Sequence, residues 1–308
     1  GIIFPVFLFW LYVKLKETES AKKKCVLLFL MFFLCYIGFE IKPMAAIVVI
    51  AIVAVEGIHF AGRLLKKQSV WKKSLLAYCL AAVLGLGAAA GGVSAVVGSM
   101  HFPVVTDTVL GWQHHMMLGL NKDTNGGYSQ ADFDYSTSFS SAEEQHAAEL
   151  KEIGKRLKDF GVGGYLQHFV KKSARNYFDG CFGWGGLGET FYTEIFPERG
   201  TVLCSLIRSL YYDNTEDTLY RYPALFRQIL WYMVLVLVPF SVFTKRPLDK
   251  KRQVAVLSVL GLMLYLQIFE AHARYLYTFV PIFVFLATEG IDNLREYLNQ
   301  KSERRVKK

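Results

Sequence analysis

The most chemically loaded stretch of this chain is a run of twelve residues, Glu270-Ala-His-Ala-Arg-Tyr-Leu-Tyr-Thr-Phe-Val-Pro281, in a short polar turn between two apolar runs. An arginine's planar guanidinium donates two hydrogen bonds to one phosphate. Arg274, with Tyr275 and Tyr277 beside it, therefore suits the phosphate of a lipid-linked carrier. Lys42, in the Glu40–Pro43 turn between two other apolar runs, offers a second cation. The same residues also allow a plainer reading, in which Glu270 and Arg274 only pair with each other at a membrane interface.

Three further groups could do chemistry. His114 and His115 are adjacent, with Asp107 upstream, and could hold a divalent metal or a phosphate. Adjacent side chains point apart on most backbones, so both rarely ligate one ion, and packing or contact with an acceptor is the simpler role. Asp132 and Asp134 could contact sugar hydroxyls. The segment Asp179–Glu189 is dense in glycine and aromatics, and it lacks the Lys-Ser/Thr ending of a phosphate-cradling loop. Its Phe182 and Trp184 suit a loop that touches lipid or a sugar face. No motif calls for a cofactor.

These residues are positioned by seven apolar stretches: Gly1–Val13, Cys25–Phe39, Met44–Ala61, Ser74–Met100, Phe226–Phe243, Val254–Phe269 and Tyr275–Ala287. Most approach the ~20 residues that an α-helix needs to cross ~30 Å of hydrocarbon. The expected fold class is an all-α integral membrane protein of about seven transmembrane helices, with one large extracytoplasmic loop containing short helices. The expected domains are spans over 1–100, the loop over 101–225, further spans over 226–290 and a basic tail over 291–308.

Lys and Arg in short loops set orientation. The basic segments are Lys14–Lys24, Arg63–Lys73, Lys245–Arg252 and Arg304–Lys308. If spans alternate, all four fall on one side, which is then cytoplasmic. The long loop and the turns holding Lys42 and Arg274 lie outside. From His101 to Tyr222 there are 11 Lys/Arg against 16 Asp/Glu, a balance of −5 within a chain of net +9. The positive excess therefore belongs to cytoplasmic loops facing anionic lipid, not to a nucleic-acid surface. Glu56, late in the third run, is read as structural, near the cytoplasmic edge.

Inside the loop, Ser141 and Glu144 form a capping box ahead of a helix to Phe160, with Leu150, Ile153, Leu157 and Phe160 at helical spacing. Val162–Phe178 reads as a second helix, which either lies flat on the membrane with Lys171, Lys172 and Arg175 outward or packs as a solvated helix. Cys181 and Cys204 share the loop and could form a disulfide there.

The Glu270–Pro281 run resembles the "E-x-x-x-R-Y, then Pro" turn that opens the last helix of many bacterial GT-C glycosyltransferases, relatives of the protein O-mannosyltransferases. His114-His-Met-Met-Leu-Gly-Leu-Asn121, followed by Gly126-Gly-Tyr128 and Asp132, resembles the outer loop of a Gram-positive branch of that family, and Ile41-Lys-Pro43 recurs there too. The resemblance implies transfer of a sugar from a polyprenyl-phosphate donor to a glycan or protein acceptor outside the bacterial plasma membrane. It implies that Arg274 and then Lys42 hold the donor phosphate, that Glu270 positions Arg274, and that Tyr275 packs on the isoprenoid or bonds the phosphate. It also implies an acidic general base in an outer loop upstream of Gly1, the chain being a C-terminal piece of a longer protein. Two rivals share the same features: a transporter or flippase for lipid-linked sugars, which should depend on polar groups deeper in the spans, and an enzyme of the O-antigen-ligase type.

Overall fold

The computed structural model describes residues 2–66, 74–100, 110–183, 201–211, 219–243 and 247–306, and among them the regular structure is helical throughout, with no strand. The helices are α1 Ile3–Glu17, α2 Ala21–Ile41, α3 Ala46–Leu65, α4 Ser74–Ser99, α5 Trp112–Gly119, α6 Gln130–Thr137, α7 Ala142–Tyr177, α8 Val202–Tyr211, α9 Arg221–Leu237, α10 Lys250–Ile268 and α11 Val280–Val306. Short 3-10 turns at Pro43–Ala45, Val238–Ser241 and Ala273–Phe279 precede α3, follow α9 and precede α11.

Six of these segments are long and apolar enough to cross a membrane: Ala21–Ile41, Pro43–Leu65, Ser74–Ser99, Arg221–Ser241, Lys250–Ile268 and Ala273–Lys301. The protein is an all-α, multi-pass integral membrane protein. The seventh expected span, α1, has 15 residues. At ~1.5 Å of rise per residue these 15 residues cover roughly 22 Å, and Lys14, Lys16 and Glu17 close its last turn. The segment expected as a basic tail from residue 291 is helical, since α11 runs on through Val306. No glycine or proline follows Gly290, and good helix formers such as Leu294, Glu296 and Gln300 carry it.

The chain divides into two compact units. The first holds Gly1–Val104, Leu237–Tyr265 and Thr278–Lys308, and the second holds Val105–Val236 and Leu266–Tyr277. The second is larger than the loop read from the sequence, since it takes in α9 and the connection between α10 and α11.

In the first unit, small residues let helices approach closely, as van der Waals packing in lipid requires. A β-carbon on Gly85 would fall 2.3 Å from the Phe29 carbonyl oxygen, and one on Gly290 would fall 2.2 Å from that of Leu237. Apolar side chains also face outward, Leu76 and Val83 of α4 being 78% and 64% exposed. That pattern suits a hydrocarbon solvent. At one end of the unit, Glu56 accepts hydrogen bonds from Tyr12 Oη (2.8 Å) and Lys250 Nζ (2.8 Å) and pairs with Lys16. Lys251 meets Glu17 at 3.2 Å, and Arg252 pairs with Glu289. Two of the basic segments thus share an end of this unit, and Glu56 is held by them. At the other end of α3, Thr278 Oγ1 lies 3.4 Å from Met44 Sδ.

In the second unit, Ser141 caps α7 by accepting from the Glu144 amide at 3.2 Å. The helix then breaks at Gly161, whose φ of +56° and ψ of −177° separate the two stretches read from the sequence. Its core gathers Met117, Leu120 and Ile153, with Met116, Phe160 and Tyr165 packed against them.

In the second half of α7 the apolar side chains face outward, but one of the expected outward cations does not. Lys172 is 0% exposed and His168 4%, while Val162, Leu166 and Val170 are 83%, 61% and 66% exposed. The polar face of this helix is turned inward because it has backbone carbonyls to satisfy. Cys181 and Cys204 are both free thiols, so the possible disulfide does not form in this structure.

Candidate functional site

Helix α5 positions the two histidines. Successive residues on a helix are rotated by about 100°, and the pair divides accordingly. His114 is buried and His115 faces outward with 47% of its side chain exposed. His114 Nδ1 sits 2.7 Å from Ser136 Oγ of α6 and 3.9 Å from Glu149 Oε1 of α7. Gln145 Nε2 donates to that same Glu149 oxygen at 3.0 Å. Burial and the positive influence of His115 push the His114 pKa down, against the carboxylates around it. His114 is a buried element of the loop's polar core, and its burial removes it from the expected contact with a sugar.

Asp132 is likewise absorbed by structure. Its two oxygens receive Arg156 Nη2 at 2.7 Å and Arg156 Nη1 at 2.9 Å, and Asn121 Nδ2 adds a third donor at 2.9 Å. Burial acts to raise the carboxyl pKa, but the Arg156 and Asn121 hydrogen bonds outweigh it and leave it below the usual range. With 5% of its surface exposed, Asp132 anchors α6 to α7, which corrects its expected role as a sugar contact. Asp134 stays exposed and accepts from Gln130 at 2.8 Å.

The connection Leu266–Tyr277 is bonded into this unit residue by residue. The Ala271 amide donates to Gly126 O at 2.6 Å. Arg175 Nε reaches Ala271 O at 3.4 Å, and Lys172 Nζ donates to both Gln267 O (2.9 Å) and Gly119 O (2.8 Å). Gly126 has a φ of +80°, and a β-carbon there would lie 2.8 Å from Lys172 Cε and 2.9 Å from Gly119 O. At Gly119 a β-carbon would sit 2.6 Å from Ile268 O. Glycine at 119 and 126 is therefore a packing requirement of this joint. Burial pushes the Lys172 ammonium down to about 7, with the Glu270 charge opposing that shift.

This joint brings Glu270 beside His115. Glu270 is 6% exposed; its Oε2 accepts from Tyr275 Oη at 2.8 Å and lies 3.7 Å from His115 Nδ1. Burial acts to raise its pKa, but His115, Tyr275 and the Arg274 charge outweigh it and leave the carboxyl below the usual range. Among the described residues Glu270 makes no ion pair with Arg274. That corrects the simple pairing of the two: the Glu270 oxygens are turned toward Tyr275 and His115, and Glu270 acts on Arg274 through charge attraction and through Tyr275, which bonds both.

Arg274 is exposed, with its guanidinium 5.3 Å from the centre of the Tyr275 ring. Its amide donates to His272 Nδ1 at 3.2 Å, which leaves the His272 Nε2 as the protonated nitrogen of a neutral ring. Burial and Arg274 push the His272 pKa down, consistent with that neutral tautomer. Phe182 packs edge-on against Trp231, ring centroids 5.0 Å apart. Trp184 lies outside the described residues, as does Asp107. Lys42 belongs to the first unit, on the extended residue between α2 and the Pro43–Ala45 turn, half-buried.

Helix α5 and the connection 266–277 thus supply an exposed imidazole, a buried carboxylate beside it, a half-buried neutral imidazole and an exposed guanidinium. Such a set can hold an anionic group and accept a proton. Among the described residues no group of three His, Cys, Asp or Glu side chains converges as a metal site. Sequence reasoning missed Lys172 and Arg175 as the residues that dock the connection. Their contacts reach 96 positions along the chain for Arg175 and 95 for Lys172, and no local spacing signals that.

A family model described as "Conserved hypothetical integral membrane protein" matches residues 3–293. No curated protein and no solved structure matches the chain.

Proposed function

We propose, from the premise that this chain belongs to the family of conserved hypothetical integral membrane proteins, that it is a membrane glycosyltransferase. It moves a sugar from a polyprenyl-phosphate donor to a cell-envelope glycan or protein on the outer face of the bacterial plasma membrane. The observation that carries this reading is the exposed Arg274 guanidinium, backed by the Tyr275 ring, at the start of the apolar segment Ala273–Lys301. A cation where polar loop gives way to hydrocarbon is placed for a lipid phosphate head whose tail lies in the bilayer. The resemblance of Glu270–Pro281 to the turn of GT-C enzymes supports the same assignment.

Arg274 then binds the donor phosphate and stabilises the charge that grows on it as the glycosidic bond breaks. Neutral His272, with its Nε2–H, adds a second donor to the same anion. The basic segments Lys14–Lys24 and Lys245–Arg252 assign their end of the first unit to the cytoplasm by the positive-inside rule. Lys42 then lies toward the outside and is tested on its own.

The test uses membranes or nanodiscs carrying the whole chain, given radiolabelled polyprenyl-phosphate sugars and candidate acceptors. Wild type is expected to yield transferred product. Arg274→Ala is expected to lose on the order of 10²–10³ in rate, as removal of one preorganised donor to a developing anion does, and Arg274→Lys to recover part of it. Absence of product from wild type overturns the assignment. Movement of the intact lipid-linked sugar between leaflets, without chemical change, identifies a transporter instead.

A further inference from the structure

The resemblance implies an acidic general base upstream of Gly1, and the second unit contains a different proton acceptor of its own. We infer that His115, oriented by Glu270, is the general base that deprotonates the acceptor hydroxyl; this rests on the glycosyl-transfer reading above. The argument is geometric. His115 projects from α5 with 47% of its side chain exposed, whereas the carboxylate beside it is 7% exposed. Nδ1 is the ring atom that faces Glu270 Oε2, at 3.7 Å. That arrangement directs the Nδ1–H toward the carboxylate and leaves the Nε2 lone pair as the available base. At 3.7 Å the pair stands beyond the ~2.6–3.2 Å of a formed hydrogen bond, and such catalytic contacts are often long in the absence of substrate and tighten when it binds.

The carboxylate is itself fixed. Tyr275 Oη donates to the same oxygen at 2.8 Å. The C-terminal end of α5 is tied to the connection bearing Glu270 through Lys172, which bridges Gly119 O and Gln267 O. The Gly126 O–Ala271 amide bond, 2.6 Å long, secures the same connection one residue after Glu270. A nucleophile's base held by a third, buried group is the arrangement by which unrelated enzymes activate hydroxyls. Arg274 stands four residues beyond Glu270 in the same connection, so the group that orients the base and the phosphate ligand are carried by one docked element.

The chemistry balances without any further reactant. The acceptor oxygen gives its proton to His115 Nε2 and attacks the anomeric carbon. The bond from that carbon to the phosphate oxygen breaks, and its electron pair leaves with the polyprenyl phosphate. The imidazolium, stabilised by Glu270, returns its proton to solvent or to the departing phosphate.

The experiment compares wild type, His115→Ala and Glu270→Gln in the transfer assay, and in photo-crosslinking to a polyprenyl-phosphate probe bearing a photoreactive tail. His115→Ala is expected to lose 10²–10⁴ in transfer rate, to keep crosslinking within twofold, and to regain activity when imidazole is added. Glu270→Gln keeps an acceptor for Tyr275 Oη, and is expected to lower kcat while the donor KM stays within twofold. Wild-type rates in His115→Ala overturn the inference. So does joint loss of transfer and crosslinking without imidazole rescue, which makes the residue a packing element. If wild type crosslinks the probe but never transfers sugar, the glycosyltransferase reading itself falls, and that result is distinct from either of the others.

Discussion

Replacing Asp132 by alanine removes one partner of the ion pair that joins α6 to α7. Arg156 would keep Glu152 at 3.0 Å and the Met117 carbonyl at 2.8 Å, but lose two short bonds in a place where its side chain is only 18% exposed. Stranding one member of a buried pair costs about 3–5 kcal/mol. The surviving Glu152 contact argues for the lower end, about 3 kcal/mol. At ~2–4 °C per kcal/mol this lowers the melting temperature by roughly 6–12 °C. The assay is thermal unfolding of the detergent-purified protein, followed by tryptophan fluorescence. The double variant Asp132→Leu/Arg156→Met removes both charges, and should melt well above the single variant. The effect is also pH-dependent. The native Asp132 pKa is held below the unfolded value of ~3.9. Its stabilisation is therefore complete above that value and disappears as pH falls through the native pKa. The difference between wild type and Asp132→Ala should accordingly shrink below about pH 4. A drop of less than about 1 °C, or a double variant no better than the single, would refute the reasoning. A carboxylate that served only to bind sugar would instead leave the melting temperature alone and raise a substrate KM.

Two other outcomes follow from the joint that docks the connection. Gly126→Ala places a β-carbon in left-handed backbone at ~1–2 kcal/mol and against Gly119 O at 2.9 Å, so limited proteolysis should cut the loop unit faster than in wild type. Lys172 is depressed from its ordinary 10.5 to about 7, so the unfolded chain binds the extra proton between those values. The unfolding free energy should rise with pH from about 7 to 10.5 in wild type and stay flatter in Lys172→Met, as chemical denaturation across that range will record.

The membrane character was legible because it rests on composition summed over many residues, which no single contact can reverse. The capping box at Ser141 and the apolar spacing to Phe160 were legible for a related reason: both signals lie within one or two helical turns. The candidate site was only half legible. Arg274, Glu270 and the histidines stand out by residue type, yet type does not tell which histidine faces in, and Asp132 looked available until Arg156, 24 residues away, claimed it. Lys172 illustrates the limit most clearly. A lysine on an amphipathic stretch reads as solvent-facing, and only the exposed carbonyls of Gly119 and Gln267 give it reason to point inward. The charged residues after Gly290 mark where the apolar composition ends, but not where the helix ends, because charge does not stop a helix.

The pairing at Glu56 bears on how the chain is built. Of the six spans, Lys250–Ile268 shares the lowest mean hydropathy, 1.2, against 2.3 for Pro43–Leu65. It also begins with three basic residues, Lys250, Lys251 and Arg252. When the ribosome delivers it, Glu56 and Glu17 have already been made, and they are the acids that Lys250 and Lys251 meet in the finished fold. Glu289, the partner of Arg252, arrives later with the final helix. The expectation is that counter-charges already at the membrane edge help this weakly hydrophobic segment to integrate, and that one which follows completes the set. Charge neutralisation of the second half of the protein is in this way provided in part by acids placed in the first.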